Sequence, residues 1–286
     1  MRSWLALLLL AWLLPAQALT VTDDRGQAVR FDRPPQRIVT LLPSLTEFVC
    51  ALDACGRLVG VDDWSDFPEA VRALPHVGGI EDARVEAIVA LRPDLVLSPT
   101  SSRALDRLQA LGLKVLAVEP RTFADVHRVL ALLGPVLGAR DGEAAWRAIA
   151  QGIDRAAQAL PADRRGQRVY FEVSSAPYAA SESSFLGELL ARLGARNVVP
   201  AALGPFPRLN PEFVVRADPD VIMLADDEEG VPIASRPGWA GLRAVREHRV
   251  CTFTPSERDV LVRAGPRMAE AARLMVRCLA GHGDAR

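Results

Sequence analysis

One stretch of this chain occurs twice, and no other feature of the sequence restricts its fold so strongly. VEAIVALRPDLVL at 85–97 returns as PEFVVRADPDVIM at 211–223. Aligned without gaps, Glu86 meets Glu212, Val89 meets Val215, Pro93 meets Pro219 and Asp94 meets Asp220, each pair 126 residues apart. Both copies end in an aliphatic run of strand type. Solenoids repeat every 20 to 50 residues or so, whereas a unit met once in each half of the chain predicts two lobes of related architecture. Two lobes imply a cleft.

The first residues, MRSWLALLLLAWLLPAQALT, place one Arg before an apolar run and close it with Ala16-Gln17-Ala18, the small-x-small pattern of a signal-peptidase site. The run from Trp4 to Leu14 is too short to span a bilayer, which takes roughly 20 residues. Residues 1–18 are therefore expected to be a signal peptide, with an exported mature chain starting near Leu19. No Cys follows the run to mark a lipoprotein cleavage site. The remainder suffices for two domains of roughly 100–200 residues each. Its charge is balanced, 34 Lys+Arg against 35 Asp+Glu, with no basic stripe for nucleic acid or a lipid surface.

All four cysteines, Cys50, Cys55, Cys251 and Cys278, fall in the exported part, where disulfides form. Three pairings are possible. Cys50–Cys55 with Cys251–Cys278 is favoured because each bond then stays within one lobe; free buried thiols are the competing reading. A zinc site lacks both a C-x2-C pair and a nearby His cluster.

Along the chain, a hairpin around Asp24-Arg25-Gly26 precedes a buried strand at 37–42. Pro43 ends that strand, and Ser44 with Glu47 has the form of a capping box for the next helix. A strand at 58–62, a helix at 84–91, a strand at 94–98, a helix at 102–111, a strand at 114–118 and a helix at 122–137 continue a βαβ rhythm. Lobe one is α/β, over 19–138. DGEAAWRAIAQGIDRAAQALPADRRG follows, with Asp141 as cap and Trp146, Ile149, Ile153 and Leu160 at helical spacing. A hinge would be written in Gly and Ser, so 139–162 reads as one stiff helix joining the lobes. Lobe two, 163–286, restarts with a strand at 168–174. A helix at 185–193, the repeated helix and strand, a strand at 251–254 and a helix from about Pro266 to Leu279 follow.

In open α/β sheets ligands sit beyond the carboxyl ends of the strands. Those ends carry Leu42-Pro43-Ser44, Asp63-Trp64-Ser65-Asp66, Ser98–Ser101, Ser175–Ser184 and Gly204–Arg208. The set is aromatic and hydroxyl-rich, which suits a large ligand held by apolar faces and scattered hydrogen bonds. Although only 6% of the chain is aromatic, Trp64, Tyr178 and Phe206 all fall in these loops. Trp146 and Trp239 have helix-like contexts and read as packing residues. The four histidines, His76, His127, His248 and His282, are scattered, and no G-x-S-x-G, P-loop or G-x-G-x-x-G is present. A metal site and an enzyme are not indicated. Glu86 and Glu212 stand near the starts of their helices, where the dipole favours a carboxylate; as a matched pair they suit docking on a two-fold symmetric partner with basic pockets.

RIVTLLPSLTE, LVGVDDWSDFPE, VEAIVALRPDLVL, LGLKVL and SSFLGELLARLGARNVV, in this order, resemble the exported substrate-binding proteins of ATP-driven importers for cobalamin, haem and iron-siderophore complexes. The W-S-D-F-P loop is most similar to the cobalamin-binding members. The resemblance covers nearly all of the mature chain and implies a periplasmic, monomeric, two-lobed α/β protein with a sheet in each lobe, one rigid linking helix and no resident cofactor. It implies that Pro43, Ser44, Trp64, Ser65, Tyr178 and Phe206 line the cleft around a corrinoid. Glu86 and Glu212 would dock on arginines of the inner-membrane ABC permease dimer. Two positions where cobalamin binders carry tryptophan align with Ile80 and Val260. A siderophore would use basic side chains such as Arg208; haem would need an axial ligand, for which Tyr178 is the candidate.

Overall fold

The computed structural model describes residues 18–174, 177–225 and 233–281. The leader, Ser175 and His282 lie outside them. After a hairpin, β1 (Leu19–Thr22) and β2 (Ala28–Phe31), lobe one runs β3 (Ile38–Thr40), α1 (Pro43–Ala51), β4 (Leu58–Gly60), α2 (Val85–Ala90), β5 (Leu95–Ser98), α3 (Leu105–Ala110), β6 (Val115–Ala117) and α4 (Phe123–Leu137). Then come α5 (Gly142–Ala159), β7 (Arg168–Ser174), β8 (Tyr178–Ala179), α6 (Phe185–Arg192), β9 (Arg196–Asn197), α7 (Pro211–Ala217), β10 (Val221–Leu224), α8 (Arg243–Arg246), β11 (Val250–Thr252), α9 (Pro255–Val262) and α10 (Met268–Leu279). The fold is α/β and two-lobed, as the repeat requires.

Both sheets thread alike. Lobe one is parallel in the order β4-β3-β5-β6. In lobe two β7 takes the place of β3, flanked by parallel β9 and β10, with β11 beyond β10. The addition is β8, a short antiparallel partner on the C-terminal half of β7.

The duplicated segment performs one task twice. Each copy of the helix ends at a left-handed residue, Arg92 (φ 49°) or Asp218 (φ 37°), and the proline that follows cannot extend it. The aspartate after the proline accepts the N–H that opens the neighbouring strand: Asp94 from Arg37 at 2.8 Å, Asp220 from Arg168 at 2.8 Å. Both arginines reach back to helix-end carbonyls, which otherwise lack partners: Arg37 donates to Leu91 and Arg92, Arg168 to Asp218. The motif therefore locks a helix end to the start of a parallel strand in each lobe.

The joint is a packed layer. α5, 18 residues and about 27 Å long, is capped by Asp141, whose side chain accepts the Glu143 N–H at 3.0 Å. Ala145, Ile149, Ile153 and Ala156 bury its inner face in a core that also takes Leu130 and Leu133 of α4 and Ala272, Met275 and Leu279 of α10. Two glycines permit the close approach. A Cβ on Gly142 would stand 2.0 Å from the Leu130 carbonyl oxygen, and one on Gly152 2.6 Å from Ala269 Cβ. Trp146 stacks on His127 at 5.0 Å, and Trp239 is fully buried against Tyr170, so both are packing residues.

The structure joins Cys50 to Cys55 and Cys251 to Cys278. It differs from the sequence reading at the start of α1. Pro43 occupies the first turn, and the N-cap, Leu42, makes no side-chain bond. Ser44 therefore lies inside the helix, and Glu47, three residues on, is buried in an ion pair with the other lobe. α2, α4, α6 and α10 fall within two residues of expectation at each end, whereas the linking helix covers Gly142–Ala159 rather than 139–162, and α3 begins only at Leu105 because Arg103 and Ala104 form a turn.

Candidate functional site

The loop that leaves β4 carries Trp64. Asp62, buried at its root, accepts the Trp64 N–H at 3.0 Å and the Ser65 hydroxyl at close range. Ser65 in turn meets Thr46 at 2.7 Å, and Thr46 meets Thr40 at 2.6 Å. This buried chain ties the loop to α1 and β3. It also turns the Ser65 hydroxyl inward, so Ser65 shapes the loop and its oxygen does not point to solvent. Burial pushes the Asp62 carboxyl above the usual range, opposed by the Ser65 hydroxyl and the Trp64 N–H. Trp64 itself projects outward, 75% exposed, and Phe67 follows it, partly exposed.

Lobe two closes on this loop through the end of α9. Arg263 donates to Asp66 at 2.7 Å, to Glu47 at 3.1 Å and to the Trp64 carbonyl at 3.1 Å, and pairs with Asp259 at 3.1 Å. Arg267, paired with Glu270, lies 3.9 Å over the Phe67 ring. At the same junction Gly265 faces Ser44: a methyl there would meet Ser44 Cβ at 3.4 Å and Glu47 Oε2 at 3.7 Å. Ser44 is thus covered, while Pro43 beside it stays half-buried.

Glu47 is 3% exposed and its Oε2 has no partner among the described residues. Burial pushes its carboxyl up to about 7, against the field and hydrogen bond of Arg263 and the field of Arg267. For Arg263, burial opposes the charged form, but the hydrogen bond to Asp66 and the fields of Glu47 and Asp259 outweigh it, so its pKa rises. The guanidinium has three carboxylates, whereas Glu47 competes with Asp66 and Asp259 for it and leaves one oxygen bare.

On lobe two, Tyr178 starts β8 and bridges to Arg208. Backbone bonds from Ala179 to Pro207 and from Ser181 to Pro205 lay the Gly204–Arg208 segment alongside. Phe206 packs edge-on against Phe185 at 6.1 Å, and Tyr178, Phe206 and Leu203 remain exposed. The structure thus forms two aromatic groups, Trp64 with Phe67 and Tyr178 with Phe206. Each lies at the carboxyl end of its lobe's parallel strands.

Glu86 and Glu212 occupy the second position of α2 and α7, with side chains 78% and 76% exposed. A helix that precedes a parallel strand starts on the strand-end side, so both carboxylates share a side of the sheets with the aromatic groups. Glu86 pairs with Arg107 at 2.5 Å and Glu212 with Arg216 at 4.0 Å. One helical turn on, Val89 and Val215 are exposed in the same register.

A model of the periplasmic binding proteins matches residues 38–257. The chain belongs to the periplasmic binding protein family. A Bacillus subtilis relative, the uncharacterized ABC transporter substrate-binding lipoprotein YvrC, is 30% identical over 264 residues, covering 88% of this chain and 82% of the relative. The vitamin B12-binding protein of Pectobacterium atrosepticum is 26% identical, covering 84% and 86%. A periplasmic heme binding protein from Pseudomonas aeruginosa superposes with a TM-score of 0.75 at 26% identity, covering 87% and 94%. As a periplasmic binding protein the chain falls in a class of substrate-binding proteins of ABC importers. No helix among the described residues is long and apolar enough to cross a membrane, and no cluster of three or more metal-ligating side chains occurs among them.

Sequence reasoning missed Glu47's role, Phe67, Arg263, Arg267 and α9. For α9 the signal was present: Thr254-Pro255-Ser256-Glu257 is a capping box with proline at the first helical position, and both reciprocal bonds form. Nothing local could have paired Glu47 with a residue 216 positions away.

Proposed function

We propose that this chain is the periplasmic carrier of a bulky ligand, cobalamin or another corrinoid, held between lobes spanning 19–138 and 163–286 and delivered to an inner-membrane ABC permease dimer. The observation that carries the reading is the exposure of Trp64, Phe67, Tyr178 and Phe206 at strand ends in a chain only 6% aromatic. Exposed rings in water cost hydrophobic free energy that the apolar faces of a bulky ligand return on binding. The curated relatives named for vitamin B12 binding support the same ligand class. Residues 1–18 act as the export signal, and the mature chain works as a monomer.

Delivery uses Glu86 and Glu212. Their matched helical positions and exposure suit two equivalent basic pockets on a two-fold symmetric permease, with Val89 and Val215 supplying an apolar contact beside each carboxylate. A second reading has its own support: Arg208 is exposed next to Tyr178, a pairing that suits an anionic haem or ferric siderophore. Titration of the mature protein with cyanocobalamin and, separately, hemin distinguishes the two. Saturable cyanocobalamin binding is expected, and hemin binding alone would move the ligand to the second reading.

A further inference from the structure

The loop that presents Trp64 is irregular, with its first turn fastened internally by Asp62. Its far side is held by lobe two. Arg263 takes the Trp64 carbonyl, the Asp66 carboxylate and Glu47 at once, and Arg267 lies over Phe67, the residue next to Asp66 in the chain. Arg263 is itself firmly mounted. It closes α9, whose Val260 and Leu261 are buried and whose Glu257 pairs with Arg277 of α10. α10 is in turn packed against the linking helix.

We propose that Arg263 is a positioning residue for ligand capture: from lobe two it fixes the Trp64–Asp66 turn of lobe one, so that one guanidinium sets both the pose of the ligand-facing tryptophan and the spacing of the lobes. The proposal rests on the reading of Trp64 as a ligand contact. A guanidinium suits the task because its planar fork serves several acceptors together, which an ammonium does not. The groups facing it are Glu47 from α1, Asp66 and the Trp64 carbonyl from the loop, and Asp259 from its own helix. Asp66, at 2.7 Å, and Glu47, through its Oε1 at 3.1 Å, hold the Arg263 side chain in this largely buried position.

The test compares Glu47→Gln with Glu47→Gln/Arg263→Met, so that no buried carboxylate is left without its arginine, together with Arg263→Lys alone. Hydrogen exchange of the Trp64 and Ser65 amides is followed in ligand-free protein, with β7 and β10 as internal controls. Calorimetry with cyanocobalamin and with hemin follows on each variant. Exchange at Trp64 and Ser65 should accelerate at least tenfold in the double variant, less in Arg263→Lys, with the control strands unchanged. Affinity for whichever probe binds the parent should fall about tenfold in the double variant and partly recover in Arg263→Lys. Unchanged exchange at Trp64 and Ser65 overturns the proposal whether or not a probe binds. So does accelerated exchange with undiminished affinity. Accelerated exchange in a protein that binds neither probe upholds the anchoring and sinks the ligand reading instead.

Discussion

Glu47 should make the protein's stability depend on pH in a direction opposite to that of an ordinary ion-paired carboxylate. Its pKa rises from 4.5 to about 7, so the folded protein holds the proton more tightly than the unfolded chain does. The contribution is therefore favourable below pH 4.5, is lost as pH rises through about 7, and leaves a full penalty above that. At about 1.4 kcal/mol per pH unit, the span is about 3 kcal/mol, undiminished by solvent because Glu47 is 3% exposed. Glu47→Gln removes this titration while keeping shape and one acceptor for Arg263. Urea unfolding of both proteins at pH 5 and pH 8, disulfides intact, isolates the effect as the change in their stability difference. Between those pH values the glutamine variant should gain about 2 to 3 kcal/mol relative to its parent. A difference that stays flat, or that favours the parent at pH 8, would refute the account of Glu47 as an undercompensated buried carboxylate.

Trp64→Ala should weaken corrinoid binding about tenfold, near 1.4 kcal/mol, with no loss of thermal stability, since the ring is exposed; calorimetry alongside a melting curve checks both. Glu86→Ala with Glu212→Ala should leave ligand affinity intact and abolish stimulation of the reconstituted permease's ATPase; normal stimulation by that variant would remove both carboxylates from the interface. Removing Cys251–Cys278, which closes 27 residues, should cost about 3.5 kcal/mol on the chain-entropy scale, against about 2 kcal/mol for Cys50–Cys55; denaturant titration of the two double-serine variants should preserve that order.

The features written in local sequence were legible. The repeat gave two lobes because its proline and aspartate act on the nearest parallel strand, and the linking helix announced itself through Asp141 and the spacing of Ile149, Ile153 and Leu160. The short strands blurred at their ends because only residues paired with a neighbouring strand count, as with Val115–Ala117, which pair with β5 within a longer aliphatic run. Ser44 and Glu47 misled for a physical reason: a capping box and a buried acid can share one spacing, and Arg263 decides between them. The cleft junction was illegible because its contacts join residues about 200 positions apart. Trp64, Tyr178 and Phe206 stood out in the sequence as rare aromatics in turn-rich segments, and the structure leaves all three exposed.

The central claim is that the strand-end aromatics hold a corrinoid, and calorimetric titration of the mature protein with cyanocobalamin tests it most directly. The account predicts one saturable site at micromolar affinity or tighter, with a negative heat-capacity change from ring burial. Absence of heat and of any visible absorbance change at millimolar cyanocobalamin would contradict it.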